Sequence, residues 1–275
     1  MRIVRFTVDG ESGRYGVVGN PIPDSTRGNG AESAASGPVV AELAGHPLGA
    51  IESIRLTGAR FQLDEVRLLT PVVPGKIVAI GRNYAAHARE LGNEVPAEPI
   101  IFLKPATAVI GPDEAIQRPA DLSQRVDFEG ELAVVIGKPA HGLAPEEAKD
   151  AIFGYTCAND VTARDLQAKD GQWARAKGFD TFCPLGPWIE TDLDPGDLEI
   201  TTTVNGEKRQ QSRTSLLLHD IPALVSFVTS VMTLLPGDVL LTGTPEGVGP
   251  LEPGDEVSVT IENIGTLTNP VVDRP

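Results

Sequence analysis

Nine residues, Glu129-Gly130-Glu131-Leu132-Ala133-Val134-Val135-Ile136-Gly137, constrain this chain more than any other segment. The run from Glu131 to Gly137 is apolar and rich in valine, the composition of a covered strand. Alternation places Glu129 and Glu131 on one face at its start, roughly 7 Å apart. Two carboxylates so placed repel each other unless a cation sits between them. The plainer reading is an exposed acidic strand end. Gly130 leaves the opposite face bare, which suits close backbone approach.

The rest of the chain reads as strands and turns more than helices. Met1–Asp9 and Tyr15–Val18 suggest a strand pair around Asp9-Gly10-Glu11-Ser12-Gly13. Asn20 to Pro38, rich in Gly, Ser, Pro and Asn, reads as a mobile loop. Pro71 and Pro74 divide a small β-rich N-terminal domain, residues 1–70, from a main domain, residues 71–275. In the main domain, Lys76–Gly81 reads as a strand and Tyr84–Leu91 as a helix stopped by Gly92. Pro145–Ile152 reads as a short helix, Phe153–Asn159 as a strand and Asp160–Lys169 as a helix. Asn205-Gly206 supplies a type I′ turn between Leu198–Val204 and Glu207–Ser212. Ile221–Leu235 is expected to be amphipathic, with Leu224, Phe227, Val228, Val231 and Leu235 on one stripe. Two Pro-Gly-Asp turns, at 236 and 253, feed the strands Val239–Thr242 and Glu256–Glu262. No run of βαβ units appears, so the expected fold is α+β, mostly β, with a mixed or antiparallel sheet system. A chain of 275 residues can bury a sizeable core, and with only 5% aromatics that core leans on Val, Leu, Ile and Ala.

The formal charge of −15 argues against nucleic acid and acidic membrane surfaces as partners. A small anionic ligand stays open, because a bound divalent cation inverts the local potential. Cys157 and Cys183 form neither a metal-type pair nor a disulfide framework, which favours a reducing, cytoplasmic setting. The first residues lack signal-peptide character. The longest apolar stretch, Ile221 to Leu235, is broken by hydroxyl residues and is short of the ~20 residues of a membrane span.

Further candidate residues gather around the two glutamates. Asp160 reads as a third carboxylate at a strand end or as a helix N-cap. On a helix, Asp160, Arg164 and Gln167 share one face by spacing. Three hard oxygen ligands without Cys or paired His favour Mg²⁺ or Mn²⁺ over Zn²⁺, with Ca²⁺ also admitted. His87 and Glu90 are helical neighbours, and the carboxylate fixes the His tautomer and raises its basicity. A surface His–Glu contact is the plainer reading. Lys177, in Ala-Lys-Gly-Phe-Asp, is a weak local signal for binding a carboxylate or an oxyanion. Thr242-Gly243-Thr244-Pro245-Glu246-Gly247-Val248-Gly249 lacks the lysine of a phosphate loop and reads as a ligand-approaching loop or a plain turn.

Five motifs in order carry a resemblance: Ile80-Gly81-Arg82-Asn83-Tyr84 with His87 and Glu90, Phe102-Leu103-Lys104-Pro105, Glu129-Gly130-Glu131, Asp160 through Gln167, and Leu241 through Gly249. Together they resemble the fumarylacetoacetate hydrolase superfamily, over roughly residues 71–270. The resemblance implies a mixed β-roll core, usually in a homodimer. It implies that Glu129, Glu131 and Asp160 hold the metal, and that His87 and Glu90 activate water on a lid segment. Lys177 is implied as a catalytic cation, and Arg82, Arg164, Gln167 and Thr244 as substrate-binding groups.

Members that cleave fumarylacetoacetate add a metal carboxylate upstream of the histidine, where this chain offers Ile80. That departure points to the branch of acylpyruvate and fumarylpyruvate hydrolases, oxaloacetate decarboxylases and 2-hydroxyhepta-2,4-diene-1,7-dioate isomerases. All share an enolate of a small 2-oxo acid, stabilised by the metal as a Lewis acid. The His–Glu pair places C–C bond hydrolysis of an acylpyruvate-like acid first. Isomerisation of the hydroxydienedioate and decarboxylation or tautomerisation of oxaloacetate follow, and a metal-binding protein without turnover is the remote alternative.

Overall fold

The computed structural model describes residues 1–8, 10, 12–19, 37–48 and 54–275. Most of the expected Asn20–Pro38 loop, and Asp9 and Glu11 of the first turn, lie outside the described residues. The molecule is mostly β-sheet, as its turn-rich sequence predicts.

Ten strands form the main path of one sheet among the described residues. In spatial order they are Leu56–Gln62, Val39–Leu43, Arg14–Gly19, Arg2–Thr7, Cys183–Glu190, Ile152–Asn159, Gly130–Ile136, Val239–Leu241, Ile77–Gly81 and Ile100–Lys104. The N-terminal strands thus continue the main sheet, with Ile3 paired opposite Ile189. A second sheet of Glu207–Arg213, Glu199–Val204, Glu256–Ile261, Gly265–Asp273 and Ile116–Arg118 packs beside it. Most pairs are antiparallel; Val239–Leu241 runs parallel to Ile77–Gly81, so the sheet is mixed. A three-stranded sheet of Thr162–Ala163, Val126–Phe128 and Gly249–Pro250 completes the array.

The strand Gly130–Ile136 is buried at every residue. Leu132, Val134 and Ile136 enter a core shared with the second sheet, where Ile200, Val259 and Ile261 meet them. Ala133 and Val135 enter the core on the other face, with Ile77, Val239 and Leu241. A side-chain period of two thus feeds two cores from one strand. Each fully buried Val, Leu or Ile contributes about 1.5–3 kcal/mol. The close approach expected at Gly130 is present: a Cβ there would lie 2.1 Å from Thr202 Oγ1 on the second sheet. The Asn205-Gly206 turn has φ of 52° and 76°, the positive angles of type I′.

Three helical expectations need correction. The segment expected over Ile221–Leu235 is helical only to Val231. Met232 then turns extended so that Leu234 pairs with Ala140. Its buried face is Ile221, Leu224, Val225 and Val228, while Val231 and Leu235 are 61% and 52% exposed. Pro145–Ile152 divides into a 3-10 turn, Pro145–Glu147, and a short helix, Ala148–Ala151, with Ile152 already in a strand. Most relevant to function, Asp160 is not helical. Thr162 and Ala163 pair with Asp127 and Val126, and the helix starts only at Arg164 and ends at Asp170. Backbone pairing there overrides a segment that reads locally as helix. No helix of the described residues is long and apolar enough to cross a membrane.

Candidate metal and substrate site

The antiparallel register sets Gly130 opposite Asn159, which brings two strand ends together. The Asp160 N–H donates to the Glu129 carbonyl at 2.8 Å, and the Glu129 N–H donates to Asn159 Oδ1 at 2.9 Å. Glu129 and Glu131 alternate onto the same face, so three carboxylates converge. One oxygen from each of Glu129, Glu131 and Asp160 lies within 4.8 Å of the others, and all three residues are buried. Asp160 therefore joins the trio through strand pairing, not through a helical face shared with Arg164 and Gln167.

Cations surround two of the three. Lys177 Nζ donates to Glu129 Oε2 at 2.7 Å and to Asp160 Oδ2 at 2.5 Å. Lys104 Nζ donates to Asp160 Oδ1 at 2.6 Å. Arg164 Nη2 donates to Glu129 Oε1 at 2.7 Å. Glu131 has no such partner: its Oε2 accepts the Gly243 N–H at 2.6 Å, and no cationic side chain pairs with it among the described residues. Burial, reinforced by Asp160 and Glu129, holds the Glu131 carboxyl well above the usual range. Burial alone would raise Glu129 too, but Lys177, Arg164 and His87 reverse the sign and hold it below the usual range. Lys177 stays charged, because Asp160 and Glu129 together outweigh the burial that disfavours its ammonium.

Glu131 is thus a carboxylate that is 2% exposed, faces two others and is bonded to no cationic side chain among the described residues. Its environment fits a divalent cation, and oxygen-only donors fit a hard one.

His87 is buried on the helix Ala85–Glu90, and its Nδ1 lies 3.4 Å from Glu90 Oε2. Glu90 Oε1 accepts the Gly247 N–H at 2.9 Å, so the glycine-rich loop steadies the pair. A carboxylate acceptor at Nδ1 favours hydrogen there and leaves Nε2 as a proton acceptor. The trio and His87 line one cavity of about 290 Å³, with Arg82, Arg164, Gln167, Trp173, Lys177 and Thr244. A larger cavity of about 690 Å³ is walled by Tyr155, Leu217 and Ile221 with Asp192, Asp194 and Asp220, and among the described residues those aspartates do not converge as the trio does.

All ten residues singled out by sequence meet at this place, with Glu90 behind His87. Several are already engaged. Arg164 uses Nε on Asp127 at 3.0 Å and Nη1 on Gln167 Oε1 at 2.8 Å, besides its bond to Glu129. The Thr244 hydroxyl donates to the Gly130 carbonyl and accepts from Gln210 Nε2, both at 2.8 Å. Sequence reasoning missed three neighbours. Lys104 lies in the Phe102-Leu103-Lys104-Pro105 motif, and its signal is a lone charge ending the apolar strand Ile100–Lys104. Asp127 continues the Glu129–Glu131 alternation and is fully buried between Arg125 and Arg164. Trp173 had no local signal. Burial pushes the thiols of Cys157 and Cys183 up to about 12, which leaves neither a ready nucleophile near neutral pH.

Comparison with known proteins agrees with the geometry. Residues 76–272 match the fumarylacetoacetate (FAA) hydrolase C-terminal family, and residues 1–71 match the Rv2993c-like N-terminal family. A crystal structure of 5-carboxymethyl-2-hydroxymuconate delta-isomerase from Mycobacterium smegmatis superposes with TM-score 0.87 at 53% identity, covering 100% of both chains. The mitochondrial oxaloacetate tautomerase fahd2 of Xenopus laevis is 46% identical over 222 residues, 76% of this chain and 69% of its own. Maleylpyruvate hydrolase from Sphingobium sp. SYK-6, solved with manganese(II) and pyruvate, superposes with TM-score 0.77 at 35% identity, covering 100% of both chains. Family members thus include an isomerase, a tautomerase and a hydrolase, one of them seen with a divalent metal at hand. With its sheet order, its buried acidic trio and a match across most of its length, this chain belongs to the fumarylacetoacetate hydrolase family.

Proposed function

We propose that this chain is a divalent-metal-dependent enzyme that moves a proton at the carbon beside the carbonyl of a small 2-oxo acid, as a tautomerase or isomerase does. The observation that carries the reading is the buried trio of Glu129, Glu131 and Asp160, lining the same small cavity as His87. These three carboxylates would hold Mg²⁺ or Mn²⁺, with Ca²⁺ also admitted by the oxygen donors. Such a cation supplies Lewis acidity, which makes the neighbouring C–H easier to remove. His87 Nε2 accepts that proton, while Glu90 on Nδ1 steadies the charged imidazole that results. Lys177, a charged group in the cavity wall, offsets negative charge that develops on a bound substrate oxygen. The same histidine returns the proton to the other end of the enol system. This cycle needs no external reductant or oxidant.

The relatives support proton transfer over hydrolysis: the isomerase and the tautomerase, at 53% and 46% identity, resemble this chain more than the hydrolase does, at 35%. That reverses the order the sequence alone suggested. C–C bond hydrolysis of an acylpyruvate remains the second reading, because a His–Glu pair equally suits water activation. We also propose assembly as a homodimer, to be checked by sedimentation.

The test is hydrogen–deuterium exchange at C3, followed by NMR in D₂O with added Mg²⁺ or Mn²⁺, on oxaloacetate and 2-oxobutanoate. Exchange well above the metal-only background supports proton transfer. Background exchange, together with pyruvate release from acetylpyruvate, would replace it with the hydrolase reading.

A further inference from the structure

The larger cavity, about 690 Å³, shares no lining residue with the catalytic one and has a different chemistry. Its size falls within the range of about 300–1,000 Å³ usual for small-molecule sites. Leu193, Leu217 and Ile221 give it an apolar floor. Asp192, Asp194 and Asp220 stand exposed at its rim with one cation, Lys149. None of these four side chains forms an ion pair among the described residues. Asp194 accepts the Gly196 N–H at 3.0 Å, and Asp220 caps the helix Ile221–Val231 by accepting the Ala223 N–H at 2.9 Å. Both carboxylates are thereby fixed in place with lone pairs to spare.

An acidic rim alone is no more than a solvated surface. Tyr155 is an independent mark of a ligand site. It is 7% exposed, and its ring packs into the core shared by two sheets. It also lines the cavity, where its hydroxyl makes no hydrogen bond among the described residues. A hydroxyl so buried and unbonded is costly, and a ligand that bonds it removes that cost. Burial, reinforced by Asp194, pushes the hydroxyl up to about 12, so near neutral pH it is an uncharged donor and acceptor. Tyr155 and Asp194 thus act on one region of the wall.

We propose that this cavity is a second ligand site that takes a small organic ammonium ion with an apolar body, and that its occupancy is relayed to the His87 helix. The ammonium donates to the Tyr155 oxygen and to the Asp194 carboxylate, while the hydrocarbon lies against Leu217 and Ile221. A metal ion fits less well, because the three aspartates do not converge among the described residues and the floor is apolar. The relay follows from the backbone. The wall segment, residues 214–220, is bonded to the residues that lead into the helix Ala85–Glu90. Leu217 forms a β-bridge with Tyr84, the Leu218 N–H donates to the Asn83 carbonyl at 2.8 Å, and the His219 N–H donates to Asn83 Oδ1 at 2.9 Å.

Ligand-observed NMR titration with three probes on one hydrocarbon frame tests the site: phenethylamine, cationic near neutral pH; phenethyl alcohol, neutral; and hydrocinnamate, anionic. Wild type is expected to bind the amine at least about tenfold more tightly than the alcohol, and hydrocinnamate more weakly still. Asp194→Asn, whose amide oxygen can still accept the Gly196 N–H, should weaken the amine about 3- to 10-fold, and Tyr155→Phe about threefold. Asp64→Asn removes the same charge from an exposed place in the N-terminal domain and should bind as wild type does. Amine binding that is absent, or no tighter than that of the alcohol, would overturn the assignment. So would a preference that survives both cavity variants, or one that Asp64→Asn weakens equally. In isotope-labelled protein the amine should move the amide signals of Leu193 and Leu217, and through Leu218 and His219 those of Asn83 and His87. Shifts that leave Leu193 and Leu217 unmoved refute the site, and shifts that stop at the cavity wall refute the relay.

Discussion

Glu131→Gln separates a metal site from an acidic cluster held by lysines alone. In the metal-free protein Glu131 is a buried carboxylate bonded to no cationic side chain among the described residues, facing Glu129 and Asp160. Two like charges at the outer limit of 4.8 Å repel by about 3.5 kcal/mol at an effective dielectric of about 20. Two such pairs give roughly 7 kcal/mol, and Lys177, bonded to both neighbours, cancels about half. Neutralising Glu131 should therefore stabilise the metal-free fold by about 3 kcal/mol. For a chain of 275 residues that is a rise in Tm of about 6 °C. Because folding raises the Glu131 carboxyl, its favourable contribution is complete below the unfolded value of about 4.3. That contribution is lost as pH climbs through the raised folded value. The advantage of the variant should consequently be small near pH 4 and grow toward neutrality. Manganese should narrow that gap: at 100 times its Kd it stabilises wild type by about 2.7 kcal/mol, and much less in the variant. Thermal melts of chelator-treated protein from pH 5 to 8, with and without Mn²⁺, measure all of this. A metal-free Glu131→Gln no more stable than wild type, with an unchanged Mn²⁺ shift, would refute the electrostatic argument.

His87→Ala should lower C3 exchange by about 10²- to 10⁴-fold while the Mn²⁺-dependent rise in Tm persists; exchange at the wild-type rate would remove His87 as the base. Lys104→Met removes one partner of a buried pair with Asp160. It should cost about 3–5 kcal/mol in urea melts of metal-free protein, so a loss under 1 kcal/mol would show that Lys104 is dispensable. Gly130→Ala drives a methyl into Thr202 Oγ1 and should cost about 1–3 kcal/mol. Thr202→Ala should recover part of that loss, because the Thr202 hydroxyl is buried without a hydrogen-bond partner.

What was legible in the sequence follows from local rules. Alternation put Glu129 and Glu131 on one face, and the apolar run after them marked a covered strand, because those properties depend only on a period of two. Asn205-Gly206 and the two Pro-Gly-Asp turns fixed chain reversals through their φ preferences. The acidic trio and its neighbours were legible as ordered motifs, though not as distances.

Other features were decided by parts of the chain far apart in sequence. Asp160 reads locally as a helix start, but pairing of Thr162–Ala163 with Val126–Asp127 keeps it extended and delivers its carboxylate to Glu131. The helix at Ile221 stops four residues early because Leu234 pairs with Ala140. Which partner each cation meets also depends on contacts across many residues: Lys104 with Asp160, Lys177 with Glu129, and Arg82 with the Trp173 ring. The physical reason is common to all of these. Side-chain period and turn angles are set by covalent geometry and nearest neighbours, whereas register and counter-charge are set by whichever strand happens to lie alongside, and only the folded sheet specifies that.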